Sequence, residues 1–337
     1  MIRPATFADL WGLRRKPARR IFFYSDALLA SSFHPFLLAL RSMLDPMGAS
    51  TDQRTLVLRD HGLRGYLQAC RRSNKREVDL QFLTAFKRAG REGQSDGELF
   101  YRLIEDLLKR AGSHKIERVF ATVGSRADDV VEVLRQLGFQ PYTQQAVWML
   151  PEPALEVGST IVALRRQQRR DAWAIHQLYS SVSPRHVQQA ELRDSTSWET
   201  SGTRRLLRGP ERAWVLGDDQ ALTVQLQLRT GTRGHVLQML VAPHLRTEAA
   251  AMVRYVLSQL HDERPVFAVV RSYQSELGQA LEELGFVMRG EQTLYAKQLA
   301  ILQRESVFLP ALRRSERAEG AIPTSTIAAI SIDGKAE

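Results

Sequence analysis

The chain has 337 residues, with 47 Lys or Arg against 37 Asp or Glu and a formal net charge of +10. That length accommodates two ordinary domains, and the single cysteine, Cys70, excludes a disulfide framework and a cysteine metal cluster. No apolar run is long enough to span a membrane: Ala27 to Leu40 is interrupted by Ser31, Ser32, His34 and Pro35. The amino-terminal residues also lack a signal-peptide pattern, so a soluble cytoplasmic protein with no metal and no membrane partner is expected.

Met1 to Pro4 predicts a short strand, and Asp9-Leu10-Trp11-Gly12-Leu13 a helix after it. Thr55 to Leu58 and Gly65 to Ala69 flank the turn signal Asp60-His61-Gly62 and predict a hairpin, with Cys70 a buried thiol at its end. A third strand is predicted from Val78 to Phe86. Leu103, Ile104, Leu107, Leu108 and Ala111 make an apolar stripe at helical spacing. The β-branched run Val119 to Val123 then predicts a strand, followed by an amphipathic helix that stops at Leu134…Leu137-Gly138-Phe139. Pro151 to Gly158, with two prolines, a glycine and acidic residues, reads as an exposed linker.

The same series then begins again. A strand is predicted at Thr160 to Leu164, and a helix from Asp171-Ala172-Trp173-Ala174-Ile175. Ala213 to Leu216 and Leu222 to Leu226 flank Gly217 to Gln220, a third strand runs from His235 to Val241, and Ala249, Met252, Val253, Val256, Leu257 and Leu260 form a helical stripe. Val266 to Val270 leads to Leu281…Leu284-Gly285-Phe286. The closing units keep one register, since 266 − 119 and 286 − 139 both give 147; the first helices differ by 171 − 9 = 162, so the first copy carries fifteen more residues before its Val-Phe-Ala strand. One architecture used twice is implied. The order strand, helix or two, three strands, helix, strand, helix, strand predicts a mixed α/β sheet rather than an alternating doubly wound one. The expected division is 1–150, 159–300 and a disordered tail from 303 to 337.

Only seven of the basic residues are lysine. An arginine bias suits bidentate binding of oxyanions, and it equally reflects the nucleotide composition of a source genome. Arg165, Arg166, Arg169 and Arg170, and likewise Arg14, Arg15, Lys16, Arg19 and Arg20, are spaced to form basic helix faces. Without interleaved aromatics for base stacking they read as solvated surface, and no nucleic-acid partner is expected.

Three places carry a resemblance. Ile2-Arg3-Pro4-Ala5-Thr6-Phe7-Ala8-Asp9-Leu10 looks like an opening strand and first-helix cap, Leu240 to Ala251 like a fourth strand, its proline and a CoA loop, and both Leu-Gly-Phe stops like the end of a fourth helix. Together they resemble the GNAT superfamily of N-acetyltransferases in tandem, over nearly the whole chain to about residue 300. The resemblance implies acetyl-CoA as co-substrate and a small-molecule or peptide amine as acceptor. The family holds CoA pyrophosphate with an Arg/Gln-x-x-Gly-x-Gly/Ala loop at a helix N-terminus, where backbone N–H groups and the helix dipole face the anion.

Arg246-Thr247-Glu248-Ala249-Ala250-Ala251 stands in that place in the second copy. Arg246, Thr247, Ala249, Ala250 and Ala251 are then the phosphate contacts, with backbone groups of Leu240 and Val241 pairing with pantetheine or the oxyanion. Ala249 replaces a glycine and Glu248 adds a negative charge. A Thr247-capped helix with a small-residue first turn explains the same residues. Gln94-Ser95-Asp96-Gly97-Glu98-Leu99 is the counterpart in the first copy, where Leu99 does not fit and Ser95-x-x-Glu98 is a capping box.

Many members of the family carry a tyrosine that protonates the departing thiolate. Leu134 and Leu281 occupy its positions here. Tyr273 and Tyr295 are the substitutes by location, and His235 and Glu248 the candidate bases. The resemblance thus implies an N-acetyltransferase whose second copy binds CoA. The alternative is a catalytically silent double fold with a binding or regulatory role.

Overall fold

The computed structural model describes residues 2–14, 19–23, 26–31, 34–44, 53–60, 63–72, 76–86, 96–125, 127–153, 163–199, 211–218 and 221–300. The expected tail and most of the expected linker lie outside these residues. The first half runs β1 (Ile2–Pro4), α1 (Phe7–Arg14), β2 (Arg19–Phe22), α2 (Asp26–Ala30), α3 (Pro35–Leu44), β3 (Gln53–Asp60), β4 (Leu63–Arg71), β5 (Glu77–Phe86), α4 (Asp96–Ser113), β6 (Arg118–Gly124), α5 (Asp128–Gln136) and β7 (Gln140–Leu150). The second runs β8 (Arg165–Arg166), α6 (Ala172–Val182), α7 (Arg185–Glu191), β9 (Glu211–Asp218), β10 (Ala221–Thr230), β11 (His235–Val241), α8 (Ala249–Ser258), β12 (Val266–Arg271), α9 (Leu277–Glu283) and β13 (Val287–Gln298).

The two copies start alike. Asp9 is fully buried at the head of α1, accepts from Thr6 N (2.9 Å) and pairs with Arg3 (2.7 Å). Asp171, equally buried before α6, accepts from Gln168 N (2.7 Å) and from both ends of the Arg165 guanidinium (2.8 Å each). Thr160, Ile161 and Val162 of the expected opening strand lie outside the described residues; the strand described is β8, in which Arg165 stands where Arg3 stands in the first copy. The described members of the expected basic faces do not share one helix; Arg15 and Lys16 lie outside the described residues. Arg165 and Arg166 lie in a strand and Arg169 and Arg170 in a 3-10 turn, while Arg19 and Arg20 belong to β2.

They also stop alike. Gly138 and Gly285 have φ of 78° and 82°, where a Cβ is strained. Phe139 N donates to Leu134 O (2.9 Å) and Phe286 N to Leu281 O (3.0 Å), closing each helix with the same hydrogen bond. Phe139 and Phe286 are turned into the cores by this cap, each burial favouring the fold by roughly 1.5–3 kcal/mol.

Among the described residues the strands form one sheet in the order β1-β3-β4-β5-β6-β13-β7-β12-β11-β10-β9-β8, with β2 beside β5. The pairing is antiparallel except at β5–β6 and β11–β12. This is the mixed α/β arrangement the element order implies, present twice. The final strands, however, are exchanged. β13 lies against β6 of the first half, and β7 against β12 of the second. The two registers are equivalent: Val123 pairs with Thr293, and adding 147 to the first while subtracting it from the second gives Val270 and Ala146, which also pair. On the pseudo-two-fold axis, β7 and β13 pair Gln145 with Gln292, residues 147 apart, and their buried amides hydrogen-bond at 2.7 Å.

Residues 1–301 accordingly form one compact unit. α4 and α5 cover one core, which includes Tyr295 from β13; α8 and α9 cover the other, which includes Trp148 and Leu150 from β7. Helices cross the axis as well. Ala30 and Leu29 of α2 pack on Val236, Phe267 and Val269, and Val187 of α7 packs with Phe120, Tyr142 and Leu294. Cys70, expected to be buried, is half-exposed at the end of β4.

Candidate functional site

β11 and β12 are paired in parallel only from His235–Val266 to Gln238–Val269. Both strands continue, to Val241 and Arg271, paired with their outer neighbours β10 and β7. Their facing edges therefore part, and a buried edge with unused N–H and C=O groups needs a partner. Gln274 supplies it. Its side chain, 1% exposed, accepts from Val241 N (2.9 Å) and donates to Met239 O (3.2 Å). Of the two backbone donors expected to meet a ligand, Val241 is thus engaged within the chain. The Leu240 and Val241 side chains are buried on opposite faces of the sheet.

After β11 the chain makes a 3-10 turn, Pro243–Glu248, and enters α8. Thr247 makes no capping bond; Glu248 holds the cap position, without a side-chain contact to the helix. Arg246 lies beside α8 with its side chain only 11% exposed; its Nη1 bonds Glu276 Oε2 at 2.8 Å, and its Nε is buried with no hydrogen-bond partner. Ala249 turns its methyl into the core against Met252 and Val253, which explains a small residue there by packing. Ala250 packs against the edge of that core and Ala251 is half-buried.

The catalytic candidates are dispersed. His235 begins β11, ~20 Å along the strand from the cleft end, and is held by Thr230 Oγ1 (3.0 Å) on Nδ1 and Asp262 Oδ1 (2.8 Å) on Nε2. Those contacts pin the β10–β11 hairpin. Tyr295 sits in the first half's core, where burial pushes its hydroxyl up. Tyr273, one residue before Gln274, packs against Phe120, Tyr142, Val187 and Leu294, its hydroxyl accepting from Ser183 Oγ at 3.2 Å. Leu134 and Leu281 are fully buried core residues.

Next to Tyr273 lies a charged cluster that nothing in the pattern of residues announced. Glu191, at the end of α7, is reached by Arg193 Nε (2.7 Å), Tyr179 Oη (3.0 Å) and Arg271 Nη2 (3.2 Å). Burial pushes its carboxyl up, but the charges of Arg193, Arg271 and Arg72 outweigh this and hold it at about 2.

The equivalent place in the first half is filled by backbone. β5 and β6 pair in parallel only from Glu77–Arg118 to Asp79–Phe120. Beyond that, β2 lies along the same edge of β5, from Arg19–Ala85 to Phe22–Phe82, and Phe23 N donates to Gln81 O (3.0 Å). Leu99 of α4 is buried in the core. Gln94 and Ser95 lie outside the described residues.

No protein-family model matches the chain, and no curated protein matches it. Among solved structures, it is similar to a tandem GNAT protein from the clavulanic acid biosynthesis pathway, at 16% identity over 88% of this chain and 98% of that one, with a TM-score of 0.48. A GCN5-related N-acetyltransferase from Sphaerobacter thermophilus is 13% identical over 88% and 95%, with a TM-score of 0.46. A functionally unknown conserved protein from Staphylococcus epidermidis is 10% identical over 72% and 94%, with a TM-score of 0.47. Likenesses of this size do not by themselves assign a family or an activity. Among the described residues no helix is long and apolar enough to cross a membrane, and no cluster of metal-ligating side chains occurs.

Proposed function

We propose that the chain is a tandem GNAT-type N-acyltransferase in which residues 159–300 bind acetyl-CoA and residues 1–150 are a degenerate structural copy. The observation that carries this reading is the parting of β11 from β12 after Gln238 and Val269, with Arg246 and the start of α8 at its mouth. The buried, unpartnered Arg246 Nε suits an anion beside a helix N-terminus. In the first half the same edge is paired with β2, which takes up the main-chain groups a pantetheine arm would use.

Acetyl-CoA would supply the thioester. An amine nitrogen attacks its carbonyl carbon, the C–S bond breaks, the acetyl group passes to nitrogen, the nitrogen gives up one proton to the surroundings, and the thiolate takes one up. With leucines at 134 and 281, we assign the donation of the thiolate's proton to Tyr273, the neighbour in sequence of the cleft-bridging Gln274, with positioning contributing the rest. A second reading, a silent fold that binds without transfer, draws support from Gln274, which already satisfies Val241 and Met239.

Calorimetric titration of the full chain with acetyl-CoA, beside a transfer assay over a panel of amines, tests both. Saturable binding that weakens about tenfold or more in a folded Arg246→Ala variant is expected. Binding without transfer to any amine favours the second reading, and no binding at all rejects both.

A further inference from the structure

Gln274 and Glu276 leave the same short turn, Ser272–Glu276, at the end of β12, and both reach the far side of the cleft. Gln274 presents an amide to a strand edge, taking one N–H and giving to one C=O two residues apart along β11. A secondary amide of a pantetheine arm carries the same complement, one acceptor and one donor. Glu276 presents a carboxylate to Arg246, as a phosphate oxygen would. The two partners differ in freedom: Arg246 is nearly buried, while Glu276 is 63% exposed. The guanidinium is therefore held by its surroundings and the acid is the side that moves without disturbing a core.

We infer that the turn Ser272–Glu276 is a built-in occupant of the CoA cleft, Gln274 standing where a pantetheine amide binds and Glu276 where the pyrophosphate binds, so that acyl-CoA enters only by displacing both. This rests on the CoA reading of the second half. The occupied cleft lowers apparent affinity by the fraction of molecules in which it is open, and removing an occupant raises affinity by the same factor. One displacement of the turn frees both positions, because the two side chains are two residues apart.

The test compares the full chain with Gln274→Ala, Glu276→Gln and the double variant. Each is titrated with CoA, melted to check folding, and examined by amide hydrogen exchange at Val241. Gln274→Ala is expected to bind CoA about tenfold tighter than the parent, on the scale of one or two hydrogen bonds no longer in competition. Its Val241 amide should exchange faster than in the parent when free, and become protected when CoA is added. Glu276→Gln, at an exposed position that does not threaten folding, should gain a smaller factor of about three. Unchanged or weaker CoA binding in both folded variants, with a parent that binds, would overturn the inference and leave the CoA reading intact, since Gln274 would then be a brace for the site. If neither the parent nor any variant bound CoA, the CoA reading itself would fall and the inference with it.

Discussion

The two halves are built to one plan and closed in two different ways. Each begins with an arginine on a strand paired to a buried aspartate, and each ends its last helix with a left-handed glycine and a buried phenylalanine. They part company at the cleft. In the first half a strand, β2, runs along the edge of β5 and satisfies it with main-chain hydrogen bonds. In the second, one glutamine amide does so. Undoing the first closure means stripping a strand from a sheet, whereas undoing the second needs a side-chain and turn movement. Features that build the core are duplicated, and one clear difference falls where a ligand would enter.

The equivalence of the cores is open to a direct attack. Phe139→Ala and Phe286→Ala should each destabilise by about 3–5 kcal/mol, since each empties a sealed site behind the same cap. Urea unfolding of the two variants checks this; a gap of more than about 2 kcal/mol between them would mean that one half tolerates the loss by collapse and the repeat is not energetically symmetric.

The ties across the axis differ in chemistry, and pH separates them. α2 is held by the apolar contacts around Ala30 and by a backbone hydrogen bond from Arg233 N to Ala30 O (2.8 Å), none of which titrates, whereas the end of α7 carries Glu191 among arginines. Because the folded carboxyl is held at about 2, below its ordinary 4.5, its stabilisation is complete above the unfolded value and fades as pH falls toward 2. Glu191→Gln should therefore cost about 3 kcal/mol at neutral pH, on the scale of that shift, and progressively less between about pH 5 and pH 2. A pH-independent deficit would show that packing, not charge, sets its role.

The smallest effect sharpens the symmetry itself. Gln145→Ala and Gln292→Ala each leave the other amide buried without its partner and should cost about 1–2 kcal/mol apiece. Equal costs are expected, because the pair straddles the axis. The double replacement Gln145→Leu/Gln292→Leu should cost less than the two alanine changes together, as a double-mutant cycle would register.

Much of this plan was legible. Leu-x-x-Leu-Gly-Phe names its own geometry, because a glycine is needed for positive φ and the aromatic after it fills the core, and the constant spacing of 147 between copies survives in the strand registers. The exchange of β7 and β13 was not, since alternation tells which face a residue occupies and not which strand lies beside it. Arg165 has a similar history: its spacing from Arg166, Arg169 and Arg170 suggested a basic helix face, but it lies in β8 and pairs with the buried Asp171. Ala249 matched a phosphate loop by size and turned out to face the core. Gln274 and Glu276 lie in a polar run whose pattern carries no sign that two of its side chains bridge a cleft.

The register across the axis is the one a symmetric dimer of a single unit would show. In such a dimer every change strikes both subunits, and a strand laid into one binding cleft would silence the other. Joined in one polypeptide, the halves are released from that bond. The first can give up its opening to β2 and still lend β7 to its neighbour, so that duplication becomes a division of labour: one unit keeps the edge that closes the sheet, and the other keeps the edge that opens.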